Sequence, residues 1–220
     1  MARSMTETIW LNADYGPALF EFVERKASRR KKLLISAEML ARLGDFKTVA
    51  DRPDERDLAA AQRLILQEAE GELPSAFMVA NQYARVDKYI TAAVMGQANL
   101  LTRLILEGAI DPGMDWRERG LRISGQDPLG WGQVKFFADV VRDVIGNPFR
   151  FRSFQQRWRT SDTVGLARGI YDERAFDRLP FLADALMDAG CDREDVISHC
   201  RSAGRHFRGC WLIDVILDRQ

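Results

Sequence analysis

Apolar residues recur at intervals of three and four along almost the whole of this chain, and that period selects helices over strands. The clearest stripe is Val134, Phe137, Ala138, Val141 and Ile145, closed by Gly146-Asn147-Pro148. There a glycine able to turn left-handed precedes a proline unable to continue a helix. Earlier in the chain, Pro17 suits a first helical turn, with Leu19, Phe22 and Val23 forming one face. Ser28 is the expected cap of a second helix bearing Leu33, Ala37, Leu40 and Ala41 and ended by Gly44. A third helix, after Asp54, carries Leu58, Ala61, Ile65 and Ala69 and stops at Gly71. Val79, Tyr83, Val86 and Ile90 mark a fourth, and Gly96 separates it from Leu100, Leu101, Leu104 and Ile105.

From Asp111 to Gly130 the period vanishes under Pro112, Gly113, Gly120, Gly125, Pro128 and Gly130. Connections inside a compact domain usually run about 4 to 6 residues, so this stretch reads as a boundary or binding loop. The expectation is an all-α protein: an N-terminal bundle of about five helices over residues 1–110, a linker at 111–130, and a compact helical unit at 131–220. Hydrophobic residues make up 46% of the 220, enough to bury a core and to exclude a disordered chain.

Within the C-terminal unit, Pro148 to Thr160 reads as irregular. Ser161 or Asp162 is expected to cap a helix with Leu166, Ala167, Ile170 and Tyr171. Asp177 is expected to cap another, with Leu179, Leu182, Ala183 and Leu186, ended by Gly190. Asp192, with Asp195 three positions on, opens a helix expected to run to Arg201, and Trp211 to Leu217, apolar except for Asp214, is expected to be a buried final helix, with a strand as the lesser alternative.

Several of these segments together resemble a large paralogous family of uncharacterised planctomycete (Gemmata-type) proteins. The resemblance rests on Met5-Thr6-Glu7 with Trp10, the Lys26-Ala27-Ser28 junction, and Gly146-Asn147-Pro148-Phe149-Arg150. It continues through Ile170-Tyr171-Asp172-Glu173-Arg174, Ala189-Gly190-Cys191, His199-Cys200-Arg201, His206 and Arg208-Gly209-Cys210-Trp211. It is strongest from about Gly146 onward. Many members carry a cysteine pair and an arginine pair in the second helix, where this chain has Ile35-Ser36-Ala37-Glu38-Met39. The resemblance implies a fold unit and a bacterial source, and no activity.

The 32 basic and 32 acidic side chains cancel, so no global field draws the chain to nucleic acid or membrane. No stretch approaches the roughly 20 apolar residues of a membrane span, and the N-terminus lacks a secretory signal core. Three cysteines, an odd number, fit reduced thiols. A soluble cytoplasmic protein without membrane contact is expected.

All three cysteines and both histidines fall between Cys191 and Cys210. Cys191, Cys200, His206 and Cys210 read C-x8-C-x5-H-x3-C, close to a zinc-finger spacing with the last two ligand types exchanged. A helix between the first two cysteines would separate their backbones by over about 13 Å, too far for one ion. The expectation is therefore a structural brace of hydrogen-bonding histidines and packed thiols, with no metal and no cofactor.

A Cys-His nucleophile drawn from this tail lacks an orienting group and an oxyanion site. Nucleotide-binding glycine loops and a nucleophile-elbow motif are absent. Glu173 with Asp177, and Asp184 with Asp188, are spaced as solvated helix faces.

Two basic segments bear on nucleic acid. One is Arg25, Lys26, Arg29, Arg30, Lys31 and Lys32; the other interleaves Phe149, Arg150, Phe151, Arg152, Phe154, Arg157, Trp158 and Arg159. Arginines on phosphates with bases stacked on rings would suit single strands, whereas an arm pinned by its aromatics leaves those rings buried. The functional expectation is a non-enzymatic helical interaction or adaptor module binding a protein partner. A nucleic-acid-binding accessory protein using segments 25–32 and 149–159 is the alternative, and a Cys-His enzyme or small zinc site in the tail the third.

Overall fold

A computed structural model describes residues 5–12, 17–43, 55–72, 131–150 and 154–219. Every α- and 3-10 element among them is helical and none of these residues lies in a strand, so the protein is all-α. The chain divides into two compact units, Met1–Asp139 and Val140–Gln220, with the division falling inside a helix. The expected linker at 111–130 and the helices expected between 79 and 105 lie outside the described residues, as does Gly44. None of the described helices is long and apolar enough to cross a membrane.

The first unit contains α1 (Glu7–Asn12), α2 (Pro17–Lys26), α3 (Arg29–Leu43), α4 (Glu55–Ala69) and the opening turns of α5 (Trp131–Ile145). Helix α1 is additional to the sequence expectation. Thr6 caps it by accepting the Ile9 N–H, and Trp10 is buried edge-on to Phe22, 5.1 Å between centroids. Helix α2 starts at Pro17, and Ser28 accepts the Lys31 N–H at the head of α3, both where local chemistry placed them. Five consecutive residues of α3, Leu33 to Ala37, are buried, so this helix is enclosed on all sides rather than along one stripe. It packs on α4, which buries Ala61, Ile65, Leu66 and Ala69.

The second unit holds the rest of α5 with α6 (Ser161–Glu173), α7 (Leu179–Asp188), α8 (Glu194–Cys200) and α9 (Trp211–Leu217). Helix α6 packs on α7 and α9, and α7 on α8. One core joins them, built from Trp158, Ala167, Ile170, Tyr171, Leu179, Leu182, Leu186, Val196, Leu212 and Ile213 among others.

Three expected helix starts are displaced. The cap of α6 is Thr160, whose hydroxyl accepts the Thr163 N–H at 3.2 Å, rather than Ser161 or Asp162. A 3-10 turn over Phe176–Arg178 absorbs Asp177, and α7 begins after it with Pro180 in its first turn. Helix α8 begins at Glu194, not Asp192, because Arg193 stays extended and pairs with Asp195 at 2.6 Å. The stops are as expected: Gly71, Gly146 and Gly190 all take positive φ.

Candidate functional site

Four polar side chains converge within the second unit. Asp143 sits in the last turn of α5, 5% exposed, where the helix dipole does not favour a carboxylate. It is compensated from the loop between α8 and α9. The Phe207 N–H donates to Oδ2 at 2.7 Å, and His206 Nδ1 lies 2.7 Å from Oδ1. His199, at the end of α8, brings Nε2 to 3.5 Å from the same Oδ1 and to 3.1 Å from Cys210 Sγ. Cys210 is the fully buried residue from which α9 starts, turned back by a Cys210 N–H to Phe207 carbonyl bond and by Gly209 at φ +90°. One donor atom from each of Asp143, His199, His206 and Cys210 lies within 4.8 Å of every other.

The surroundings fix both rings. His199 and His206 meet edge to face with centroids 4.8 Å apart. The far nitrogen of His206 lies 3.2 Å from Ser202 Oγ, and Trp211 Nε1–H donates to His199 Nδ1 at 3.3 Å. Burial lowers the His199 pKa from 6.5 to about 4, with Asp143 opposing and His206 assisting. His199 is therefore neutral at pH 7. Burial pushes Cys200 up to about 12 and also raises Cys191, so neither is a reactive thiolate.

The depressed histidine makes stability depend on pH. Its contribution is complete above pH 6.5, where both folded and unfolded forms are neutral, and is lost as pH falls from 6.5 toward about 4, where only the unfolded chain takes the proton. The loss is on the order of 2 kcal/mol, less than the full shift because the ring is partly exposed. Urea unfolding with chelator present, at pH 7 and pH 4.5, should show it, and His199→Asn should flatten the difference. Equal pH slopes in the two proteins would remove His199 as the cause.

Of the four sequence-derived zinc candidates, the structure brings His206 and Cys210 together and leaves Cys191 and Cys200 in the hydrophobic core. Asp143 and His199 take their places. His199 was legible as part of the tail cluster, whereas Asp143 carries no local signal among the valines of α5.

The basic segments are largely committed within their own units. Arg29 pairs with Glu68 and Arg30 with Glu70, tying α3 to α4, while Lys31 and Lys32 are half-buried and Arg25 and Lys26 exposed. Trp158 is fully enclosed with its indole N–H on the Gly190 carbonyl, and Phe154 packs edge-on against it. Arg159 donates to the Ile216 carbonyl, and the Arg150 carbonyl accepts from Arg193. Phe149, Arg150 and Arg157 are exposed, and Phe151 and Arg152 lie outside the described residues.

One helix face of the second unit turns apolar residues outward. Helix α7 buries Leu179, Leu182, Ala183 and Leu186, while Phe181 is 64% and Met187 47% exposed, about 120° apart around the rest of the helix. Asp184 and Asp188 flank them, with Arg201 reaching over to Asp184 at 2.8 Å and to the Met187 sulfur at 3.3 Å. Comparison with protein-family models, curated proteins and solved structures finds no match to this chain.

Proposed function

We propose that this chain is a non-enzymatic interaction module whose C-terminal unit offers the outer face of α7 to a protein partner. The observation that carries this reading is the pair Phe181 and Met187 held outward on a helix that already buries a complete inner face. Covering a large apolar side chain is worth about 1.5–3 kcal/mol, so two exposed on one short helix give a partner something to gain. Exposed Asp177, Asp184 and Asp188 around them suit a partner with an apolar anchor and basic flanks. Catalysis is disfavoured because the polar cluster faces inward and its four groups are spent on one another. The nucleic-acid alternative has less support, since Trp158 offers no ring face for stacking and two arginines of segment 25–32 answer acids of α4. The resemblance to planctomycete proteins adds no activity to either reading.

A photo-cross-linking amino acid at position 181, in the cell of origin, tests the proposal. A discrete partner adduct is expected at Phe181 and not at exposed Arg168 on α6. Met187→Asp should abolish the adduct without lowering the melting temperature. The same pattern at both positions would refute the α7 face, and tight, salt-sensitive binding of single-stranded RNA would move the function to the basic segments.

A further inference from the structure

We infer that Asp143, His199, His206 and Cys210 form a closed, structural zinc site that ties the end of α5 to α8 and to the start of α9. The inference is independent of the partner proposed for α7 and revises the expectation, drawn from the spacing of Cys191 and Cys200, that the tail holds no metal.

Three features carry it. The first is donor chemistry: one sulfur, two imidazole nitrogens and one carboxylate oxygen are a set that zinc prefers over magnesium or calcium, which take oxygen donors. The second is geometry. Bonds of about 2.0–2.3 Å in a tetrahedron place ligand atoms roughly 3.3–3.6 Å apart. The separations here begin at 2.7, 3.1 and 3.5 Å and none exceeds 4.8 Å, so they bracket that edge and shifts below about an ångström complete the site. The third is charge. A buried dication costs much unless neutralised, and the Asp143 carboxylate with the Cys210 thiolate cancels it.

The outer contacts suit a ligand role at Asp143 and His206. The Phe207 N–H holds Asp143 Oδ2, leaving Oδ1 for the ion, and Ser202 Oγ is placed to accept the His206 Nε2 proton once Nδ1 binds metal. His199 must change: Trp211 donates to its Nδ1, which leaves the proton on Nε2. Zinc at Nε2 moves that proton to Nδ1 and releases the indole. The indole bond at 3.3 Å and the contacts of His206 Nδ1 with Asp143 Oδ1 and of His199 Nε2 with Cys210 Sγ are exchanged for four metal–ligand bonds, and the balance favours the metal. As zinc sheds its waters and the sulfur–zinc bond forms, the Cys210 thiol gives its proton to solvent, and the imidazole protons move to their far nitrogens. All four positions are then filled by protein, which is the arrangement of a structural ion rather than a catalytic one.

The test uses untagged full-length protein purified without chelator. Elemental analysis is expected to find about one zinc per chain. Cobalt(II) replacing it should give the visible bands of a tetrahedral centre and a near-ultraviolet sulfur-to-cobalt charge-transfer band. Cys210→Ser and Asp143→Asn should each lose zinc and the tetrahedral cobalt spectrum, whereas Cys191→Ala and Cys200→Ala should retain both. If the ligand variants fail to fold, the wild-type cobalt spectrum still decides, and His206→Cys, which keeps a donor, should recover binding. Wild-type protein that takes up neither ion after reconstitution, or zinc that leaves with Cys191→Ala instead of Cys210→Ser, would overturn the assignment.

Discussion

Trp158→Ala is expected to remove about 3–5 kcal/mol from the stability of the C-terminal unit, a large share of the roughly 5–15 kcal/mol that holds a domain folded. The indole is fully buried in the core it shares with residues of α6, α7, α8 and α9, so its removal opens a cavity in that core. It also strips the Gly190 carbonyl of its indole N–H donor, 3.1 Å away, just where α7 ends. Phe154 would lose the ring it meets edge-on at 5.3 Å. Trp158→Phe keeps most of the apolar volume and sacrifices the hydrogen bond, and should cost only about 1–3 kcal/mol. Urea unfolding followed by circular dichroism separates the two variants. A cost for Trp158→Ala below about 1 kcal/mol would mean that this ring is not the anchor of the 149–159 arm, and would restore it as a surface for bases.

What the sequence made legible was local. Pro17, Ser28, Gly146 and Gly190 act on backbone within a few residues of themselves, so their roles followed from spacing alone. The errors at helix starts share one cause. Several polar residues compete for each cap, and tertiary contacts choose among them: Thr163 satisfies both Thr160 and the Trp158 carbonyl, which fixes the α6 cap at Thr160, one residue before Ser161.

The polar site was half legible for a different reason. Counting cysteines and histidines pointed to residues 191–210, but the zinc-like spacing selected Cys191, Cys200, His206 and Cys210 and left out His199. On α8 the consecutive His199 and Cys200 point about 100° apart, so His199 turns to Asp143 while Cys200 enters the core. Asp143, meeting His206 from 63 positions away, is a long-range contact that no spacing rule encodes.

That long-range contact depends on how closely α5 and α9 approach, and one glycine controls the approach. Gly146 ends α5 at φ +76°, and a β-carbon there would stand 2.8 Å from Trp211 Cγ and 3.0 Å from Cδ2. Gly146→Ala therefore meets two penalties: a left-handed backbone that costs a side-chain-bearing residue about 1–2 kcal/mol, and a collision with a rigid buried ring that adds about 1–3 kcal/mol. Gly190→Ala supplies the control, since Gly190 has φ +78° but nothing within 4 Å of the added carbon, and should incur the backbone term alone. The ring that Gly146→Ala displaces packs against the His199 imidazole, 5.1 Å between centroids, and follows Cys210 in sequence, so the variant should also shift both residues in the polar cluster and weaken any ion held there. Thermal unfolding of the two glycine variants, read beside their cobalt spectra, is expected to show Gly146→Ala the less stable and Gly190→Ala spectrally unchanged; equal losses in both would show that α5 and α9 have room to separate and that Trp211 does not set their distance.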